Sequence, residues 1–130
     1  MKQLTVIATA SPELAAELTS VLGENGVNLQ DIAFKTMGNV ALMNLVSDNY
    51  DAALRALTEA GYETVSDDSL LLEIEDQPGA LAAVARELVD TGIGIRALNV
   101  VGQDETRALI AVSSSDNQAA RLVLGERVVN

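Results

Sequence analysis

The chain has no cysteine and no histidine. The first absence removes disulfides, thiol nucleophiles and thiolate metal sites. The second removes the usual nucleophile–base pairs and most transition-metal sites. Only carboxylate or lysine chemistry remains. The lysines are just Lys2 and Lys35, each inside or beside a predicted strand, where a solvated position is the ordinary expectation. Aromatic residues are nearly absent as well, the set being Phe34, Tyr50 and Tyr62. Basic residues are scarce, 8 Lys plus Arg against 19 Asp plus Glu, for a net charge of −11. Nucleic acid is therefore not an expected partner, because phosphate binding needs a basic surface and single-strand binding needs stacking rings. No apolar run approaches the roughly 18 residues of a membrane span, and the opening MKQLTVIATASPEL breaks too early for a signal sequence. The expectation is a cytoplasmic, non-catalytic protein without membrane, metal or cofactor.

What is present is enough apolar material, 48% of 130 residues, for one compact domain or two very small ones. The acidic residues are scattered rather than blocked, and Arg outnumbers Lys by 6 to 2. Adaptation to a salty cytoplasm and a plain solubilising surface both account for this acidity.

An internal repeat organises the chain. A shift of 66 positions places Leu4, Val6 and Ala8 on Leu70, Leu72 and Ile74, and Pro12 on Pro78. Without a gap it then carries Leu18, Leu22, Gly26, Val27 and Leu29 onto Val84, Leu88, Gly92, Ile93 and Ile95. Each copy opens with an alternating strand, Gln3 to Thr9 and Leu70 to Glu75. In the first copy Ser11-Pro12-Glu13 reads as an N-cap, a proline at the first helical position and an acid in the first turn, predicting a helix to Leu22 or Gly23. The second helix follows Gln77-Pro78-Gly79 and stops near Asp90-Thr91-Gly92. Hairpin strands come next, Leu29 to Thr36 with Val40 to Ser47, and Ile95 to Val101 with Thr106 to Ser113. Further helices are predicted over about Tyr50 to Ala60 and about Asp116 to Leu124, the latter opened by the capping-box pattern Ser115-x-x-Gln118. Short last strands follow Gly61 and Gly125, namely Tyr62 to Val65 and Glu126 to Val129.

Strand, helix, strand, strand, helix, strand is the ferredoxin-like order. The fold class is thus α+β, two βαββαβ units over 1–66 and 67–130, with antiparallel sheets and helices on one face of each. Which face of Val40 to Ser47 points inward is left open, because Met43 and Leu45 alternate with Leu42, Asn44 and Val46.

The stretch IEDQPGALAAVARELVDTGIGIRALNVV, Ile74 to Val101, resembles the ACT domain, an amino-acid-binding regulatory module. The matching features are a strand ending in an acid or amide, x-Pro-Gly-x-Leu opening a helix, and Gly-Ile-x-Ile entering the next strand. The first copy is similar in plan, with Ser11-Pro12-Glu13-Leu14 and Gly26-Val27-Asn28-Leu29, but departs at Glu13. The resemblance implies a stand-alone tandem ACT protein that binds a small amino acid or similar zwitterion where units adjoin. It also implies a homodimer or higher homo-oligomer, with a metabolic enzyme as a further partner.

In such a site the amides of Gly79, Ala80 and Leu81 would hold an α-carboxylate at the helix start, following Pro78, and Asp76, Gln77 or a carbonyl of the adjoining strand would accept from an α-ammonium. The resemblance adds Asn99 and Val100 from the next strand. From the first copy it adds Ser11 and Asn28, the latter at a turn position where the second copy has Gly94. Each copy thus keeps a different half of the pattern, which fits a composite site.

Other signals are weaker. Gly92-Ile93-Gly94-Ile95-Arg96-Ala97 matches a dinucleotide fingerprint in letters, but it leaves a helix and enters a strand, the reverse of what that motif needs. Glu73 and Glu75 lie two apart on one strand face, and the sequence places no distinct environment beside them. Asp67-Asp68 reads as a linker without calcium-loop spacing, and Ser113 to Ser115 as a loop with a cap. A ligand-free dimerising adaptor and a small enzyme relying on Glu73, Glu75 or Lys35 are the competing functions.

Overall fold

The computed structural model describes residues 2–130 and divides the chain into two compact units, Met1–Asp67 and Asp68–Asn130. The first unit runs β1 (Leu4–Thr9), α1 (Leu14–Glu24), β2 (Leu29–Met37), β3 (Val40–Ser47), α2 (Tyr50–Glu59) and β4 (Glu63–Val65). Its four strands lie in the order β2-β3-β1-β4, and β3 pairs antiparallel with both β1 and β2, as β1 does with β4. The open question about β3 is resolved by packing. Ala41, Met43 and Leu45 join Leu4 and Val6 in one core with Leu14, Leu18 and Leu22 of α1 and Ala53 and Leu57 of α2. Both helices therefore cover the same face of the sheet. On the other face Thr5 Oγ1 donates to Asn44 Oδ1 across the strand pair at 2.7 Å.

The second unit runs β5 (Leu70–Glu75), α3 (Ala80–Asp90), β6 (Ile95–Gln103), β7 (Arg107–Ser114) and α4 (Asn117–Leu124), with sheet order β5-β7-β6. Its core repeats the first: Leu70 and Leu72 with Val84, Leu88, Ala108, Ile110, Val112, Ala120 and Leu124. The ends of α1 and α3 are built alike. Val27 N–H reaches Leu22 C=O at 2.9 Å, and Ile93 N–H reaches Leu88 C=O at 2.9 Å, each across a glycine of positive φ. This Schellman closure needs a left-handed residue after the cap, which explains Gly26 and Gly92 at matching repeat positions. Two ferredoxin-like units are thus present, the fold that the ACT resemblance implied.

Several local expectations are corrected. Ser11 is not an N-cap and Pro12 is not helical. Residues 11–13 form a turn closed by Leu14 N–H on Ser11 C=O at 3.3 Å, and the cap position falls on Glu13, whose side chain makes no cap hydrogen bond. The capping box at Ser115 is displaced by one residue: Asp116 caps α4, accepting from Ala119 N–H at 3.0 Å. Ser115 Oγ instead accepts from Gly94 N–H at 2.9 Å.

The predicted last strand, Glu126 to Val129, is replaced by a 3-10 turn, Gly125–Arg127, with a single bridge between Val128 and Leu72. The cause is side-chain anchoring. Arg127 folds back to donate to Leu124 C=O, Val123 C=O and both carboxylate oxygens of Glu87, holding the turn. Asn130 then stands in for strand pairing, its side chain bonding Leu71 N–H at 2.8 Å and Ser69 C=O at 3.1 Å.

Candidate functional site

The loop from Asp76 to Leu81 is a compact turn between β5 and α3. Gln77 C=O accepts from Ala80 N–H at 3.1 Å, and Gly79 has φ +87° and ψ −10°. With Pro78 before it, that is a type II turn, in which the third residue must take a positive φ. The equivalent turn in the first unit has Glu13 at φ −87° and ψ −10°, the type I counterpart. The two types differ by a flip of the central peptide, so Gly79 N–H and Glu13 N–H face differently. Both loops are anchored alike at their start, by Ala10 N–H on Asn39 C=O at 2.7 Å and Asp76 N–H on Thr106 C=O at 2.9 Å.

The turn changes which amides are available. Ala80 N–H is taken by Gln77 C=O, and Ala83 N–H by Gly79 C=O at 2.9 Å. Among the described residues no acceptor faces the N–H groups of Leu81 and Ala82, the usual condition of a helix's first turn. Asp76 is also engaged, its Oδ2 accepting from Gln103 Nε2 at 3.1 Å. Gln103, at the end of β6, is the residue from that strand that meets the loop.

The remaining candidates lie elsewhere. Asn99 and Val100 pair with Ala111 and Ile110 of β7, which in turn pair with Leu71 and Leu72 of β5. They therefore stand two strands across from β5 and well short of its loop end, and both are exposed. In the first unit Ser11 is exposed in the turn before α1. Asn28 is tied down locally: its N–H donates to Asp48 Oδ1 at 3.0 Å, its Nδ2 lies 3.5 Å from Asp48 Oδ2, and Asp48 N–H returns to Asn28 C=O at 3.0 Å. Gly94 with Ser115 repeats this clasp in the second unit. Asn28 thus serves a local junction between β2 and the end of β3.

Beside the loop, within the second unit, lies an open cleft of about 310 Å³ that reaches the loop at Gln77 and Ala80. Its apolar wall is Ile74, Ala80, Ala83 and Val84, and its charged rim is Glu73, Glu75, Arg107 and Arg127. Arg107 starts β7, where Asp104 fixes the preceding turn by accepting from the N–H groups of Thr106 at 2.8 Å and Arg107 at 2.7 Å. Those bonds hold the Asp104 carboxyl below the usual carboxylate range. Arg107 Nη1 reaches Glu73 Oε1 at 3.1 Å. Arg127 grips Glu87 through both Nη atoms, at 2.6 and 2.9 Å, and this pairing pushes the Glu87 carboxyl down and the guanidinium up. Among the described residues no group of three or more carboxylates is placed to hold a metal ion. Among the described residues no helix is long and apolar enough to cross a membrane.

No model of a known protein family matches the chain, and no curated protein does. Similar solved structures exist. A Bacteroides thetaiotaomicron protein aligns over 98% of this chain and 88% of its own, at 23% identity and a TM-score of 0.49. The ligand-free regulatory subunit of aspartate kinase from Thermus thermophilus aligns over 97% and 91%, at 21% identity and a TM-score of 0.45. The small subunit of acetolactate synthase from Thermotoga maritima aligns over 99% and 89%, at 8% identity and a TM-score of 0.43. With each TM-score below 0.5, these overlays add nothing to the functional reading.

The cleft assigns roles to residues that sequence reasoning passed over. Arg127 sits in a stretch patterned as a strand, and its tie to Glu87 spans 40 positions, so no local signal marks it. Glu73 and Glu75 were visible only as a carboxylate pair. Arg107 is what gives them a distinct setting, and it is reached only through the register of β5 on β7.

Proposed function

We propose that the chain is a regulatory, non-catalytic tandem ACT protein that binds a small amino acid or similar zwitterion at the β5–α3 loop. The observation that carries this reading is the start of α3, where the Leu81 and Ala82 amides have no acceptor among the described residues and an open cleft of about 310 Å³ adjoins at Gln77, Ala80 and Ala83. Those amides, at the positive end of the α3 dipole, suit an α-carboxylate. Gln77, at the loop's edge of the cleft, offers its side-chain oxygen to an α-ammonium, as the preceding Asp76 would with the oxygen that Gln103 does not use. Gly79, lacking a side chain, leaves the approach open: a Cβ there would meet nothing within 4 Å. Binding would alter how such units pack in a homo-oligomer or against a metabolic enzyme, and so report amino-acid supply in the cytoplasm. Isothermal calorimetry against the twenty amino acids tests this directly. At least one should bind, and Gly79→Glu should lose that binding while Gly79→Ala, which shares the backbone strain, should keep more of it. A flat response to all twenty rules the reading out.

One observation favours a second reading, a ligand-free dimerising adaptor. Phe34 on β2 and Val100 on β6 occupy the same repeat position and are each 52% exposed, so both repeats present an apolar side chain at the same place on the sheet. That reading predicts self-association or partner capture indifferent to amino acids.

A further inference from the structure

We propose that residues 125–130 form a two-position strap at the edge of the cleft, open while Arg127 grips Glu87 on α3 and closed when the same guanidinium serves Glu73 on β5. The observation is one of register. In the first unit β4 pairs with β1 as Val65 on Thr5, Thr64 on Val6 and Glu63 on Ile7. The repeat offset is 66 at the first strand and 64 between Gly61 and Gly125. The matching pairs in the second unit are therefore Val129 on Leu71, Val128 on Leu72 and Arg127 on Glu73. Two of the three are already made, since Val129 N–H donates to Leu71 C=O at 2.8 Å and Val128 bridges Leu72. Only the Arg127–Glu73 pair is missing.

That gap leaves a short open edge. Leu71 turns its N–H and C=O outward, to Asn130 Oδ1 and Val129 N–H, so those of Glu73 also point outward, and nothing among the described residues bonds them. Strand alternation explains why the third pair is not made. Leu70 and Leu72 face the core under the helices, so Glu73 faces the other side of the sheet, and a residue paired directly with it would do the same. Glu87 instead holds Arg127 on the α3 side, at 2.6 and 2.9 Å. The guanidinium can serve one carboxylate or the other. Glu73 has room for it, because Arg107 bonds only Oε1 and leaves Oε2 without a partner among the described residues. Closing gives up the Arg127 bonds to Glu87, Leu124 C=O and Val123 C=O, together with Val128 N–H on Gly125 C=O. It gains the two backbone bonds of the Glu73 pair and a second ion pair. Solvated ion pairs contribute little on either side, which is the condition for an element with two positions. Glu73 and Arg127 both line the cleft, so joining them closes it at that end.

The test is amide hydrogen exchange and nuclear Overhauser contacts on the intact 15N-labelled chain carrying Glu87→Ala, a change at a side chain 42% exposed and outside the core. With Glu87 gone the strap should close. Exchange at the Glu73 amide should slow about fivefold relative to the native chain, the factor of one net hydrogen bond, and an amide–amide contact should join Glu73 and Arg127. Arg127→Ala, which can serve neither carboxylate, should leave the Glu73 amide at its native rate. A Glu73 amide unchanged in Glu87→Ala would overturn the strap, because loss of the grip would then only fray the turn. Equal protection of Glu73 in Arg127→Ala would overturn it too, by showing that the choice between carboxylates does not set the position.

Discussion

Gly79 shows how one residue decides a turn. Its φ of +87° costs a residue with a Cβ about 1–2 kcal/mol, although the space around it is empty. Gly79→Ala should therefore lower the stability of the second unit by about 1 kcal/mol, measured by urea denaturation, through the backbone alone. Gly79→Asn should cost less, because asparagine tolerates the left-handed region. The Pro78-Gly79 pair was legible as the start of a helix. Its turn type was legible too, since proline then glycine is the type II pairing, but the helix-start reading hid it. In the first unit Pro12-Glu13 lacks the glycine and takes the type I form. Ser11, which looked like a cap, closes that turn through its carbonyl, as Gln77 does in the second unit. Ala80 N–H is lost to Gln77 through that turn, whereas Leu81 and Ala82 keep the open N–H groups of any helix's first turn.

Among the elements, α4 and the segment after it depart most from the expected plan. Ser113, Ser114, Ser115, Asp116 and Asn117 are all residue types that favour helix starts, so the sequence brackets the cap without choosing it. Asp116 has the extended backbone of a cap, φ −151° and ψ 91°, and the side-chain bond to Ala119 N–H. Asp116→Ala should cost about 1 kcal/mol in denaturant unfolding, within the range for lost N-caps. Equal loss from Ser115→Ala alone would contradict the assignment.

The missing fourth strand of the second unit has a different cause. Glu126 to Val129 has the same flanking glycine as its counterpart, and Arg127 bends it, through Glu87 40 positions away and through the neighbouring Leu124 and Val123 carbonyls. Arg127→Ala should speed amide hydrogen exchange at Val128 and Val129, which bond Gly125 C=O and Leu71 C=O. The accompanying stability loss should stay below about 1 kcal/mol, since the pair is solvated.

At the scale of the whole molecule, the two-unit plan was the most legible feature, because a gap-free shift of 66 aligns strand, turn, helix and stop together. The register that brings Arg107 beside Glu73 was not, since pairing between strands far apart in sequence leaves no mark in either one.

Charge sets the response to solvent. Only three ion pairs, Arg86–Asp90, Arg107–Glu73 and Arg127–Glu87, are found among the described residues, so most of the 19 carboxylates repel without compensation. Added KCl should raise the melting temperature by screening that repulsion, and a melting temperature indifferent up to molar KCl would remove any salt adaptation. The acid response has a definite sign. Glu87 titrates below its ordinary 4.5 when folded because Arg127 donates to it. Its contribution to stability is complete above that ordinary value and is lost as pH falls through the lower folded one. Glu87→Gln should flatten that part of the pH–stability profile.

The central claim, that the start of α3 holds the carboxylate of an amino acid, is tested most directly by titrating the 15N-labelled chain with amino acids and following backbone amide shifts. The account predicts the largest saturable shifts at Leu81 and Ala82, with Gln77 moving alongside them. Shifts confined to other residues, or none up to millimolar ligand, would contradict it.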